Sequence, residues 1–462
     1  MRKYVIAAGL AAGTLALNVP AAQAGTGGEH PPAGVVLPTP ATGTPHLANS
    51  SNPVEQVHEL VQCGGTMYAV GFFSSILQGS KTYPRTDIFS FSATAPYKVT
   101  SWAPHVVGST RVNNDGADAI NSIAFAGGNC ADAYIGGHFT SVNGTSVQNI
   151  AEISTTTGNV VSTFGHNSNG GVNTLLAVGS HLLTGGAFTS VNNSSADPYF
   201  ASLNTTTGKD DGFLHLGVSG HYVFHNVTAN TTHVYNQQLS HGGSLDLVEG
   251  DFTSVGGLPR QQIFMLNVGG SAAAVTGWTS PEFSQPCSDS EPFYVRAAAW
   301  SPDDATVYVA DTGYKPFNEP AGTFPRSGLC DAAAAFPASQ TSVSHKWINY
   351  TGCDSLYSAA ADNNAAYFAG HERYSMNPVG CNFLGNGGYN APGMEGLDPA
   401  NGALYINSAG TAGYYSRARG LGAADMMVAA AAGLWIASDN FDGSNTCGGV
   451  SGLAGICFLP YS

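Results

Sequence analysis

Short apolar runs, each bounded by Gly, Asn, Asp, Ser or Pro, recur along the whole chain after about the first fifty residues. Turn signals come roughly every 8 to 12 residues, which predicts antiparallel hairpins and no long helices. One unit is plain to read. An apolar strand covers 171–178, and a Gly-centred turn leads to a second strand, His181-Leu182-Leu183-Thr184, which ends in Gly185-Gly186-Ala187-Phe188. A polar loop follows, then a third strand over 199–204, the turn Thr205-Thr206-Thr207-Gly208, and a fourth segment closing on Phe213. The preceding unit repeats this syntax at 149–154, Thr155-Thr156-Thr157-Gly158 and Val160 to Phe164.

The link between second and third strands is the most repetitive part. Gly136-Gly137-His138-Phe139-Thr140-Ser141-Val142-Asn143 returns as Gly185-Gly186-Ala187-Phe188-Thr189-Ser190-Val191-Asn192, and as Gly250-Asp251-Phe252-Thr253-Ser254-Val255. Gly71-Phe72-Phe73-Ser74 is a blurred earlier copy. Phe73, Phe139, Phe188 and Phe252 therefore lie about 50 to 65 residues apart, the spacing of a repeat architecture. A sheet of that size cannot bury its own apolar face, so the copies must pack on one another, and short strands favour radial packing. The fold expected is all-β: a β-propeller of about seven four-stranded blades, with six or eight left open. Blades one to four are placed at 57–104, 119–166, 171–213 and 221–278. Three decayed copies follow, opening near Phe293, Leu356 and Ala424.

The pattern Gly-Gly-x-Phe-Thr-x-Val-Asn-Gly, followed by an Ile-Ala-x-Leu-like strand and Thr-Thr-Gly, resembles the bacterial secreted delta-60 repeat β-propeller family, a β-propeller domain of unknown function. Later stretches match the same family: Gly370-His371-Glu372-Arg373-Tyr374, the turn 391–402 with Leu397-Asp398-Pro399, and the closing segments around Gly433 and Ile456. The likeness spans roughly residues 55 to 461. It implies a propeller and a bacterial, exported origin, and no particular activity.

Residues 1–24 read as a signal peptide, with Arg2 and Lys3 before an apolar stretch from Val5 to Leu17 and Ala22-Gln23-Ala24 as cleavage site. The mature chain is thus expected to be secreted, and no later apolar run is long enough to insert in a membrane. Residues 25–52, rich in Gly, Pro and Thr, have linker composition, although 34–37 could add a strand to the last blade and close the ring. Residues 53–462 are read as a single propeller domain.

Charge and cysteine change the picture in two ways. Only 10% of the 462 residues are charged and the net charge is −15, which argues against nucleic acid as a partner. Eight cysteines in an exported chain point to disulfides. Cys63 and Cys130 occupy equivalent places in neighbouring blades, Cys447 and Cys457 flank the last hairpin, and Cys287 with Cys330 and Cys353 with Cys381 would staple inserted loops. This is the expected connectivity, one of the 105 that eight cysteines allow. No C-x-x-C occurs to suggest zinc.

Candidate chemistry is sparse. His138 and His371 both follow the second strand of their blades, and His371, Glu372, Arg373 and Tyr374 form the richest cluster, beside the insertion 372–392. They are the expected ligand-binding residues, weighed against Arg373 serving a structural ion pair. The carboxylates Asp210, Asp211, Asp246, Glu249, Asp251, Asp303 and Asp304 supply oxygen ligands without EF-hand spacing, so no cofactor is expected and calcium has no motif behind it. No G-x-S-x-G marks a serine hydrolase. The reading is a monomeric, non-catalytic secreted propeller that binds an extracellular partner, a cell-wall or other polysaccharide or a protein. The rivals are a carbohydrate-active hydrolase or lyase with carboxylates at the central cavity, and a structural cell-surface component.

Overall fold

The computed structural model describes residues 27–48, 55–108, 120–221, 231–284, 287, 294–313, 328–415, 425–429, 431–438, 446–447 and 450–461. These residues are all-β apart from one 3₁₀ turn at Pro281–Ser284. Seven meanders succeed one another among them. Their first strands are Gln56–Cys63, Ile120–Ala124, Val172–Val178, His233–Leu239, Tyr294–Trp300, Leu356–Ala361 and Asp425–Ala429. Each pairs antiparallel with a second strand, and the second with a third, as in His181–Gly186 and Phe200–Asn204 of the third meander.

What joins the meanders is burial between them. Each first strand lies beside the first strand of the next meander, and Asp425–Ala429 lies beside Gln56–Cys63. Seven hydrophobic clusters fill the spaces between successive meanders. One unites the seventh with the first: Trp435 and Phe458 pack with Phe91 and Tyr97, with ring centroids 5.4 to 5.9 Å apart across the join. Sheets packed face to face with first strands around an axis are the blades of a β-propeller.

Among the described residues the expected four strands per blade hold in two cases, where Ala274–Val275 and Trp347–Tyr350 pair as fourth strands. Elsewhere the fourth position shrinks to single bridges such as Ile153 to Val160 and Leu203 to Asp210. The reason is local: Gly158 and Gly208 turn the chain at φ of 75° and 65°, and a shortened outer edge offers little template for aggregation. In the seventh blade the N-terminal segment takes this place. Val36 bridges Tyr461, Leu37 N–H donates to Pro460 O at 2.7 Å, and Ala41 N–H to Phe458 O at 2.8 Å. Residues 27–48, linker-like in composition, are packed here because Val35, Val36 and Leu47 are apolar enough to be buried.

The Gly-Gly-x-Phe motif has a physical explanation. A Cβ on the first glycine, Gly136 or Gly185, would overlap the valine of the next blade's first strand, Val172 or Val234. A Cβ on the second, as at Gly186 or Gly250, would strike the backbone carbonyl of its own first strand. The Phe two residues on is buried in every copy: Phe73, Phe139, Phe188 and Phe252 are at most 2% exposed. By the same register Glu372 takes the Phe position in blade six.

All four expected disulfides are present, with Cα–Cα distances of 5.7 Å for Cys63–Cys130, 5.9 Å for Cys287–Cys330, 4.7 Å for Cys353–Cys381 and 6.0 Å for Cys447–Cys457. The first fastens blade one to blade two. Such pairs belong to an oxidising compartment, and among the described residues no helix is long and apolar enough to cross a membrane. The insertions 281–291 and 313–330 lie largely outside the described residues; 372–392 lies inside.

Candidate functional site

Six of the seven first strands carry a one-residue bulge near their start, at His58, Asn121, Asn173, Tyr235, Arg296 and Tyr357. The corresponding position of the seventh lies outside the described residues. A bulge puts two residues opposite one and turns a side chain away from its regular face. Here the residue before the bulge (Val57, Ile120, Val172, Val234, Val295 or Leu356) is fully buried, while all six bulge residues are partly exposed. The second-strand glycine explained above faces that buried residue: Val57 pairs with Gly71, Val172 with Gly186, Val234 with Gly250 and Leu356 with Gly370. The repeat motif and the bulge are one device. Its product is a ring of polar side chains at the end of the axis where the first strands begin.

The ring has two halves. In one, each side chain reaches the next blade's backbone: His58 Nδ1 lies 3.2 Å from Ile120 O, Asn121 Nδ2 donates to Val172 O at 3.3 Å, and Asn173 Nδ2 donates to Val234 O at 3.0 Å. These bonds tie blades one to four together. In the other half the Arg296 guanidinium lies 4.9 Å from the Tyr357 ring centroid and 5.3 Å from that of Tyr294, close to Tyr235. Among the described residues Arg296 makes no ion pair. Burial drives the Tyr235 phenol well above its usual pKa, and its hydroxyl is buried with no hydrogen-bond partner among the described residues.

The residues singled out from sequence divide accordingly. His371 joins the ring, its imidazole set edge-on to Tyr357 at 4.8 Å. Arg373 is held in a bidentate pair with Asp354, at 2.7 Å for both bonds, and donates to Asn382 Oδ1 at 2.7 Å. Its guanidinium also lies 5.5 Å from the Tyr374 ring. Glu372 points into the core beside Glu395. His138 sits at the equivalent place in blade two, over Gly171 of blade three, and burial lowers its pKa. No contact joins His138 to the His371 group among the described residues. Of the carboxylates considered for calcium, three serve turns and pairs: Asp303 accepts from Ser301 Oγ at 2.6 Å, Asp304 from Gly242 N at 2.7 Å, and Asp211 pairs with His181 at 2.7 Å. Asp246 and Glu249 are fully buried, and their carboxylate oxygens have no hydrogen-bond partner among the described residues. Among the described residues no three His, Cys, Asp or Glu side chains converge as metal ligands.

Sequence reading missed the ring, because a bulge residue has no compositional mark. It also missed a recurrent left-handed residue just before the third strand: Asp87, Asn149, Tyr199, Gln262 and Asp331, at φ between 51° and 69°. Several of these side chains brace the site. Asp87 accepts from Phe73 N at 3.1 Å and Gln262 from Val295 N at 2.9 Å.

No family model matches this chain, and no curated protein matches it. Solved structures similar to it include the computationally designed Ika8 protein, at 8% identity and a TM-score of 0.41, with 90% of this chain and 98% of that one covered. The extracellular domain of the putative one component system BT4673 from B. thetaiotaomicron is similar at 9% identity and a TM-score of 0.45, over 91% of this chain and 40% of that one. The Myceliophteria thermophila Cps50 (Swd1) β-propeller domain is similar at 9% identity and a TM-score of 0.36, over 68% and 79%.

Proposed function

We propose that this is a secreted, non-catalytic propeller, closed as seven blades by its N-terminal segment, that binds an extracellular glycan at the mouth of its axis. Membership of the delta-60 repeat family, carried by the motif resemblance, belongs to the same reading. The observation that carries it is the set of six in-phase bulges, which turns His58, Asn121, Asn173, Tyr235, Arg296 and Tyr357 out of the core at one end. Interblade bonds account for His58, Asn121 and Asn173, but not for the partly exposed Arg296 and Tyr357, and aromatic faces beside amide and guanidinium donors suit sugar rings and hydroxyls. The carboxylates beside Tyr235 and His371 support binding over hydrolysis: Glu249 and Glu372 are at most 1% exposed and Asp251 is 9% exposed. A protein partner is the second reading, favoured by Val379, Phe383 and Leu384, which stand 41%, 46% and 42% exposed on the blade-six insertion.

Co-sedimentation of the mature, oxidised chain with insoluble polysaccharides and isolated cell walls tests this. Retention without release of soluble sugar is expected. Sugar release abolished by a single carboxylate substitution would replace the reading with the hydrolase, and a chain left wholly in the supernatant would remove the glycan.

A further inference from the structure

Away from the axis, the outer side of blade one holds a recess of about 640 Å³ lined by Lys81, Tyr83, Arg85 and Lys98 with Thr66, Ser92, Thr100 and Ser101. Lys81 Nζ lies 4.4 Å from the Tyr83 ring centroid and the Arg85 guanidinium 5.6 Å from it. Among the described residues no carboxylate lines the recess. The whole chain has 15 Lys and Arg against 30 Asp and Glu, so three cations sharing one cavity without an acid run against the composition. Like charges gathered this way repel unless an anion joins them.

Blade four supplies an internal control. Arg260 there donates to Pro259 O and Thr276 O, each at 2.8 Å. Arg85 makes the same two bonds, to Pro84 O and Thr100 O, also at 2.8 Å. The arginine is therefore a shared structural strut between the hairpin and the fourth segment. Its surroundings differ. Tyr83, opposite Ile76, corresponds in register to Leu258, opposite Val255; Lys98, next to the Phe91–Val99 bridge, corresponds to Ala274, next to the Leu266–Val275 pair. The scaffold folds with Leu and Ala at these two places. Tyr83 packs with one side against the core between blades seven and one, whereas Lys98 and the neighbouring Lys81 are exposed and answer no need of the fold.

We infer that this recess is an anion-binding site for the carboxylate groups of an acidic polysaccharide, separate from the axial mouth. Lys81 and Lys98 supply the charge, the Tyr83 ring holds the Lys81 ammonium in the recess, and the hydroxyls of Thr66, Ser92, Thr100 and Ser101 meet sugar hydroxyls. The test is the affinity of the full mature chain for polygalacturonate, with neutral dextran and inorganic sulfate as comparison probes. The wild type should bind the polyuronate, not dextran, and more weakly as salt is raised. The variant Lys81→Gln/Tyr83→Leu/Lys98→Ala, which places blade four's residues at positions 83 and 98 and removes the Lys81 charge, should bind at least about tenfold more weakly while remaining folded. Arg296→Ala/Tyr357→Ala at the axis should leave this binding in place, so failure here is separable from failure of the axial reading. Equal binding to dextran, unchanged affinity in the triple variant, loss in the axial variant, or sulfate binding without polymer binding would each overturn the assignment.

Discussion

Raising the pH from about 5 to about 9 is expected to remove several kcal/mol of stability, and Glu395→Gln to abolish on the order of 4 kcal/mol of that loss. Glu395 lies fully buried in the third strand of blade six, and burial pushes its carboxyl up to about 8, with the Ser375 hydroxyl offsetting part of the effect. Glu372 is buried beside it and is raised in turn, first by burial and then by Glu395. Asp246 and Glu249 of blade four are raised by burial in the same direction. An unfolded glutamate titrates near 4.3. Between that pH and about 8 the folded chain keeps a proton on Glu395 that the unfolded chain has lost, so stability falls as pH rises. The contribution is complete below the unfolded pKa and gone above the folded one. The glutamine amide has no proton to lose. Urea unfolding at a series of pH values reads this directly: the wild-type curve should slope downward and the Glu395→Gln curve should be flatter, the two meeting near pH 5. Parallel curves, or wild-type stability constant across the range, would show that Glu395 is not buried as described.

Gly250→Ala is expected to destabilise the fold by about 2 to 4 kcal/mol, far more than an alanine at an ordinary glycine. Gly250 faces the bulge of blade four, where a Cβ would run into the carbonyl of His233 and the ring of Phe252. Backbone cannot move aside cheaply, and the Phe252 ring is fully buried. Gly186 and Gly370 occupy the same place in blades three and six and meet Gly171 O and Ser355 O in the same way. Gly65 is the comparison, because a methyl group there would meet nothing within 4 Å. Its alanine variant should stay within about 0.5 kcal/mol of wild type. Urea midpoints for Gly250→Ala and Gly65→Ala decide the matter, and equal midpoints would detach the glycine from the bulge.

Much of the architecture could be read from the chain because repetition exposes it. Four phenylalanines at a fixed place after glycine announced the blades, and each is buried where the repeat requires. Cys63 and Cys130, at equivalent places in adjacent copies, announced their pairing. The axial ring was not legible, since His58, Asn121, Asn173, Tyr235, Arg296 and Tyr357 share no chemistry and only the backbone register unites them. Arg296 and Tyr357 are 61 residues apart in number and meet because their blades are neighbours. The Gly370-to-Tyr374 cluster looked like a site because its polar residues are consecutive. Its strand register sends Glu372 into the core, Arg373 to Asp354 and only His371 to the ring.

The most direct measurement is a binding isotherm for the polysaccharide or cell wall that retains the protein, taken with Tyr357→Ala and Asn121→Ala beside wild type. Tyr357 faces Arg296 and His371 in the open half of the ring, whereas Asn121 bonds to the backbone of the next blade. If the axial mouth is the binding site, Tyr357→Ala loses at least about tenfold in affinity while keeping its melting temperature, and Asn121→Ala loses stability while keeping affinity. Wild-type affinity in Tyr357→Ala would contradict it.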